Sequence, residues 1–176
     1  MLVLDQFRKN LGFSLIEVMV VVAIFGVVFS VGSSSYKAWI ENSKIRNAAE
    51  SMLNGIQKAR NFAVQNNTQV EFRIGANTDW TICNSTVAPI CPTAIDSRTT
   101  AEGSSTSVSV ANTGGTTVIF SNLGTRNSGF TRLDFTTSAL SNAADIRALA
   151  IIVKPGGAAR LCDPALNVSV PSMGCL

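Results

Sequence analysis

Three groups of residues in this 176-residue chain have types and spacings that bear on chemistry. The first is Glu17, the one ionisable side chain in the apolar run Phe13–Val31 (FSLIEVMVVVAIFGVVFSV). A carboxylate inside such a span costs roughly 2.5–3.5 kcal/mol on insertion scales unless it is paired. Four residues earlier lies the Gly12–Phe13 bond, directly after Arg8-Lys9-Asn10-Leu11. Cutting that bond would put a free amine on Phe13, where Glu17 of the same or a neighbouring chain can pair with it. The second group is Cys83, Cys91, Cys162 and Cys175. An even cysteine count suits disulfides in an oxidising compartment. Three pairings are possible; Cys83–Cys91 and Cys162–Cys175 are favoured because each pair is close in sequence and brackets a loop-like stretch. Spacings of eight and thirteen do not suit a four-thiolate zinc site, whose cysteines usually pair two to four residues apart. The third group is Arg126, Arg132, Arg147 and Arg160, guanidinium groups able to meet a phosphate.

Other chemistry finds little support. There is no histidine, which removes the commonest general base and the commonest metal ligand. No nucleophile, base and orienting group recur at a usable spacing. Gly114-Gly115 lacks the lysine and helix of a phosphate loop. Asp96, Glu102, Asp134 and Asp145 are separated and read as solvated surface or turn residues, with no calcium loop. The expectation is a protein without catalytic residues, metal or cofactor. Net charge is +3. Setting aside Arg8, Lys9, Asp5 and Glu17, the chain from Lys37 onward carries twelve basic and nine acidic residues. That excess is too small to argue nucleic-acid binding from charge alone.

The elements that must position these residues follow from periodicity. Residues 1–12 read as a short basic leader that the positive-inside tendency keeps in the cytoplasm. Residues 13–36 read as a membrane helix, since ~20 apolar residues at about 1.5 Å each span a ~30 Å hydrocarbon core. A secretory signal is cut after its apolar core; here the candidate cut precedes it and keeps the anchor. Gly32-Ser33-Ser34-Ser35 is weakly helical and leaves continuity open. Residues 37–66 form an amphipathic helix: Ile45, Ala49, Met52, Ile56, Ala59 and Ala63 recur at spacings of four and three. Asn66-Asn67 is its stop.

Residues 67–176 read as a β-rich head. Strands are predicted over Thr68–Ile74, Trp80–Cys83, Thr106–Ala111, Thr116–Phe120, Phe130–Phe135, Ile146–Val153 and Ala158–Cys162. Gly114-Gly115 and Lys154-Pro155-Gly156-Gly157 are the turns between neighbouring strands, and Asn84–Gly103, with Pro89 and Pro92, is a loop. The tail Asp163–Leu176 is irregular and closed by the second cysteine pair. The fold class is α+β: one long N-terminal helix packed on a mostly antiparallel β-sheet domain.

Gly12-Phe13-Ser14-Leu15-Ile16-Glu17 closely resembles the G-F-[ST]-L-[IV]-E signature of type IV prepilins and type II secretion pseudopilins. The resemblance implies cleavage between Gly12 and Phe13 by a prepilin peptidase, N-methylation of Phe13, and a role for Glu17 in setting subunit register. It implies as partners the inner membrane, the peptidase and other major and minor pilins or pseudopilins. The head would lie in the periplasm before assembly, and the whole chain in the pilus or pseudopilus afterwards. Three later stretches resemble the FimT/FimU/GspH group: Ala48–Leu53 through Ala59-Arg60-Asn61-Phe62-Ala63-Val64, then Val70-Glu71-Phe72 with Trp80–Cys83, then Arg160-Leu161-Cys162-Asp163-Pro164. The resemblance implies a minor pilin that primes pilus assembly and supports twitching motility, adhesion or DNA uptake; a type II secretion pseudopilin is the alternative. Some members bind DNA through a C-terminal G-R-x-R motif. The matching stretch here is Gly157-Ala158-Ala159-Arg160, so Ala158 stands where the first arginine would be and the DNA reading loses a phosphate contact; Arg126, Arg132 and Arg147 are the cations that would have to join Arg160 in contacting DNA.

Overall fold

The computed structural model describes residues 12–85, 91, 94–102, 105–166 and 174–175, with side chains for all of these but 30–34. The leader before Gly12, Pro89, Pro92 and most of the tail beyond residue 166 lie outside the described residues. Helix α1 runs from Leu15 to Gln65 as one element, its backbone helical through Gly32–Ser35. It stops where the two asparagines stand. Asn67 takes a left-handed φ of 49°, its N–H reaches the Val64 carbonyl (3.4 Å) and the Thr68 N–H reaches the Ala63 carbonyl (3.1 Å). These are the paired bonds that satisfy a helix C-terminus, with asparagine at the position glycine usually fills. Contacts divide the chain into two compact units, one ending at Lys37 and one spanning Ala38–Leu176.

In the second unit the α1 stripe is the centre of the core. Ile45, Ala49, Met52, Ile56, Ala59 and Ala63 have no solvent exposure. Nine strands are present among the described residues: β1 Val70–Ile74, β2 Trp80–Asn84, β3 Ala94–Arg98, β4 Val108–Thr113, β5 Thr117–Phe120, β6 Arg126–Gly129, β7 Arg132–Thr137, β8 Leu149–Val153 and β9 Ala159–Cys162. They form two wholly antiparallel sheets, ordered β3-β2-β1-β5-β6 and β4-β7-β8-β9. Alternation sends Val70 and Phe72, Val118 and Phe120, and Leu133 and Phe135 into one shared cluster with the helix.

Several details depart from the sequence reading, and β6 has no counterpart in it. The segment expected to be loop over Asn84–Gly103 contains β3, which pairs with β2. Gly114-Gly115 does not join a hairpin, because β4 pairs with β7 and β5 with β1 and β6; the turn carries the chain from one sheet to the other. Ser51, placed off the helical stripe, is buried, since its hydroxyl accepts from Trp80 Nε1 (3.1 Å) and from Arg98 Nη1 (3.0 Å). The expected β8–β9 hairpin forms across Lys154–Gly157, with Val153 opposite Ala159. A single turn of 3-10 helix, Ala143–Asp145, precedes β8.

Two glycines carry close approaches. A Cβ on Gly55 would lie 2.8 Å from the Phe72 ring and 3.1 Å from Trp80, so glycine lets the helix seat on that aromatic pair. Gly157 has a φ of +78°, and a Cβ there would lie 1.8 Å from the Gly124 carbonyl oxygen. Arg60 Nε donates to that same carbonyl (2.9 Å), and the Arg126 N–H reaches the Pro155 carbonyl (2.9 Å). The β5–β6 turn, the β8–β9 turn and the helix therefore lock together at Gly157. Gly157→Ala combines a positive φ with a backbone clash and is expected to cost about 3 kcal/mol, read as a lowered midpoint in urea.

Glu41 ties the helix to the second sheet. Its carboxylate accepts from Lys44 Nζ (2.6 Å), Ser107 Oγ (2.8 Å) and Thr137 Oγ1 (3.3 Å). The Lys44 hydrogen bond, against the opposing effect of burial and with help from Ser107 and Thr137, holds its pKa below the ordinary 4.5. A depressed folded pKa gives stability that is full above the unfolded pKa and lost as pH falls through the folded one. Unfolding midpoints should therefore drop on acidification below the usual carboxylate range, and Glu41→Gln should flatten that drop.

Candidate functional site

In the first unit the residues of interest surround the start of α1. Ser14 precedes the first helical residue, and its N–H donates to Glu17 Oε2 (3.0 Å). Ser14 is thus the N-cap and Glu17 the third helical residue reaching back to it, one half of a capping box. The carboxylate also faces the positive end of the helix dipole. This local bond is legible in the sequence as a serine and a glutamate three apart before an apolar run. Phe13 is 89% exposed, and a Cβ on Gly12 would meet nothing within 4 Å. Leu15, Ile16, Val18, Met19, Ile24, Phe25 and Phe29 are also exposed. No helix among the described residues is long and apolar enough to cross a membrane. The described side chains of the apolar run stop at Phe29, two residues short of its end in the sequence.

The head carries the other candidates. Cys83 is bridged to Cys91 and Cys162 to Cys175, with Cα separations of 5.6 and 5.1 Å. The second bridge ties the tail to β9 beside the Asp163–Gly174 backbone bridge. No thiolate is therefore left for a metal, and among the described residues no group of acidic or cysteine side chains is placed to hold one.

The four arginines do not converge. Arg132 and Arg160 share a face of the second sheet, each opposite Ile152. Arg126 lies in the other sheet, and Arg147 follows the 3-10 turn. Three of the four serve the fold. Arg132 chelates Asp134 through Nε and Nη2 (2.7–2.9 Å), and that carboxylate raises its pKa. Arg160 Nη2 donates to the Gly174 carbonyl (3.2 Å), and Arg126 Nη1 to that of Gly129 (3.1 Å). A phosphate would have to compete with each of these bonds, and counterion release by so few cations is small. Asp96 likewise pairs with Lys58 (2.7 Å) rather than standing alone.

Arg147 lines a cleft that sequence reasoning missed. About 540 Å³ in volume, it is bounded by Trp39, Asn42, Arg46, Leu149 and Leu161. Asn42 fixes its rim, donating to the Asp145 carbonyl (2.8 Å) and accepting from the Arg147 N–H (2.8 Å). These partners stand over a hundred residues apart, so no local pattern announces them.

A G-F-S-L-I-E start, a single long helix and a two-sheet antiparallel head define a chain of the type IV pilin and pseudopilin class. The model of the prokaryotic N-terminal methylation motif matches residues 7–33, and that of type II transport protein GspH matches residues 48–157. The chain belongs to the GspH family, within the FimT/FimU/GspH group. Among solved structures it is similar to the type IV minor pilin FimU of Pseudomonas aeruginosa strain PAO1, at 14% identity over 70% of this chain and 91% of that one, with a TM-score of 0.52. A second crystal form of FimU aligns at 15% identity over 66% of this chain and 90% of that one, with a TM-score of 0.48. At such identity the likeness is one of fold. No curated protein matches the chain.

Proposed function

We propose that this chain is a minor type IV pilin, without catalytic activity of its own, that primes pilus assembly and is incorporated in the filament. The observation that carries this reading is the exposed start of α1: the Gly12–Phe13 bond, an exposed Phe13, a carboxylate at Glu17, and an apolar surface that needs cover. In the membrane lipid covers that surface, and in a filament neighbouring helices do. A prepilin peptidase cuts at Gly12 and methylates Phe13. Glu17 then gives up or shares its Ser14 bond to meet the amine of an adjacent subunit, which sets register. The inner membrane holds the precursor with its head in the periplasm, and the disulfides suit that compartment.

The GspH match favours a second reading, a pseudopilin of a type II secretion system. Deleting the gene separates the two. The pilus reading expects surface pili and twitching to fall sharply, secretion of folded exoproteins to persist, and the wild-type chain to restore piliation. Unchanged piliation with lost secretion would sink the pilus reading in favour of the pseudopilin.

A further inference from the structure

The cleft beside Arg147 joins two chemistries in one hollow, and all of its lining belongs to the second unit. One wall is a single face of α1, where Trp39, Asn42, Ser43 and Arg46 follow one another at helical spacing. Leu149 of β8 and Leu161 of β9, half-buried against the core, supply apolar surface to it. Trp39 is 65% exposed. Arg46 bonds Glu50, yet most of its side chain stands in solvent. Arg147 differs from the other three candidate arginines. Asn42 fixes its backbone N–H (2.8 Å), but among the described residues no hydrogen bond or ion pair reaches its exposed guanidinium.

Such a lining suits a ligand that is part apolar and part anionic. A nucleic acid strand needs a row of cations; the lining offers Arg46 and Arg147 against one carboxylate, Asp163. A free phosphate ester would leave the indole and the leucines in water. A phospholipid presents both parts. A tryptophan with an apolar ring and a polar N–H belongs at the level of lipid headgroups, and an arginine there meets the phosphate. The chain also brings the cleft to that level. Trp39 follows Val31, the end of the apolar run, by eight residues. At about 1.5 Å per helical residue this is ~12 Å of chain, and headgroups add roughly 5–7 Å beyond each face of the hydrocarbon core. A chain held by its apolar run therefore keeps Trp39 within about one helical turn of the headgroup layer. The volume, about 540 Å³, is that of a small-ligand site rather than of a groove for a folded partner.

We infer that this cleft holds an anionic phospholipid of the periplasmic leaflet, its phosphate on Arg147 and Arg46, its glycerol and upper acyl chain against Trp39, Leu149 and Leu161. The inference rests on the membrane stage of the reading above. It gives the head a seat on the bilayer before assembly, one that a subunit drawn into a filament has to give up.

The test uses the full-length chain in vesicles of equal parts phosphatidylglycerol and phosphatidylcholine. A nitroxide sits high on the acyl chain of one lipid or the other, so composition stays constant while the quencher changes place. Trp39 is exposed and Trp80 buried, and the emission lost in Trp39→Phe reports on the cleft. Quenching of that emission is expected to be at least twofold stronger with the nitroxide on phosphatidylglycerol. Arg147→Ala should make the two lipids equal while the chain still floats with the vesicles, since the Asn42 bond to the backbone N–H survives the change. Equal quenching by both lipids in the wild-type chain would overturn the inference, as would a preference that Arg147→Ala leaves intact. Relief of the quenching by soluble glycerol phosphate would also overturn it, because the ligand would then be a free phosphate ester. In all three cases a floating chain leaves the membrane reading standing, whereas a chain that does not float with the vesicles would fell that reading and this inference together.

Discussion

Glu17→Val is expected to lower the amount of this chain in sheared filaments at least tenfold, with the precursor still cut and still present in the membrane. Two roles for the carboxylate have to be told apart. As the partner of Ser14 N–H at 3.0 Å it caps the helix, and loss of a cap costs about 0.5–2 kcal/mol. As the counter-charge to a neighbouring amine it supplies a bond that exists only in the assembled state. Glu17→Gln separates them, because the amide oxygen still accepts from Ser14 while the charge is gone. If charge sets the register, Glu17→Gln should fail as Glu17→Val does. Incorporation of the glutamine variant at the wild-type level would reduce Glu17 to a cap.

Phe72→Ala is expected to cost about 3–5 kcal/mol, most of the stability of a head this size. Phe72 has no solvent exposure. Its ring stacks on Trp80 with centroids 5.7 Å apart and meets Phe130 edge-on at 6.2 Å, with Gly55 of the helix pressed against it. Truncation leaves a void bounded by Trp80, Phe130 and the helix, and a rigid frame of two rings and a helix backbone collapses poorly into it. Urea unfolding followed by tryptophan fluorescence reads the loss, and Phe72→Leu should recover most of it. A shift below about 1 kcal/mol for Phe72→Ala would mean that the three elements do not close on this ring.

What could be read from the chain depended on how local its cause was. The α1 stripe is a spacing within one element, and the β8–β9 hairpin has its turn written as Lys154-Pro155-Gly156-Gly157. The strand β6 reads Arg-Asn-Ser-Gly, a sequence with no strand preference; it is extended because β5 pairs with it, with Gly129 at a φ of +103° where a Cβ would strike the Thr117 carbonyl. β3 hides for a related reason. As an edge strand it has little apolar surface to bury, so Ala-Ile-Asp-Ser-Arg shows no clear alternation. The crossing at Gly114-Gly115 was invisible because glycine marks a turn without saying which sheet receives the next strand.

The candidate site divides in the same way. The G-F-S-L-I-E start is contiguous and was readable, as was the count of cysteines. The arginines were readable as charges, but their commitments were not: Asp134 takes Arg132 and the Gly174 carbonyl takes Arg160. The Trp39–Arg147 cleft joins residues that only the folded head brings together.

The claim on which the account rests is that this chain becomes a filament subunit through a cut before its apolar helix. Intact-mass and N-terminal fragment analysis of the chain purified from its own cells tests it directly. The account predicts a polypeptide that begins at Phe13 and carries one methyl group on its terminal nitrogen, and that reverts to the uncut length when the cell's prepilin peptidase is removed. A mature chain that still begins at Met1, or one cut after the apolar run, would contradict it.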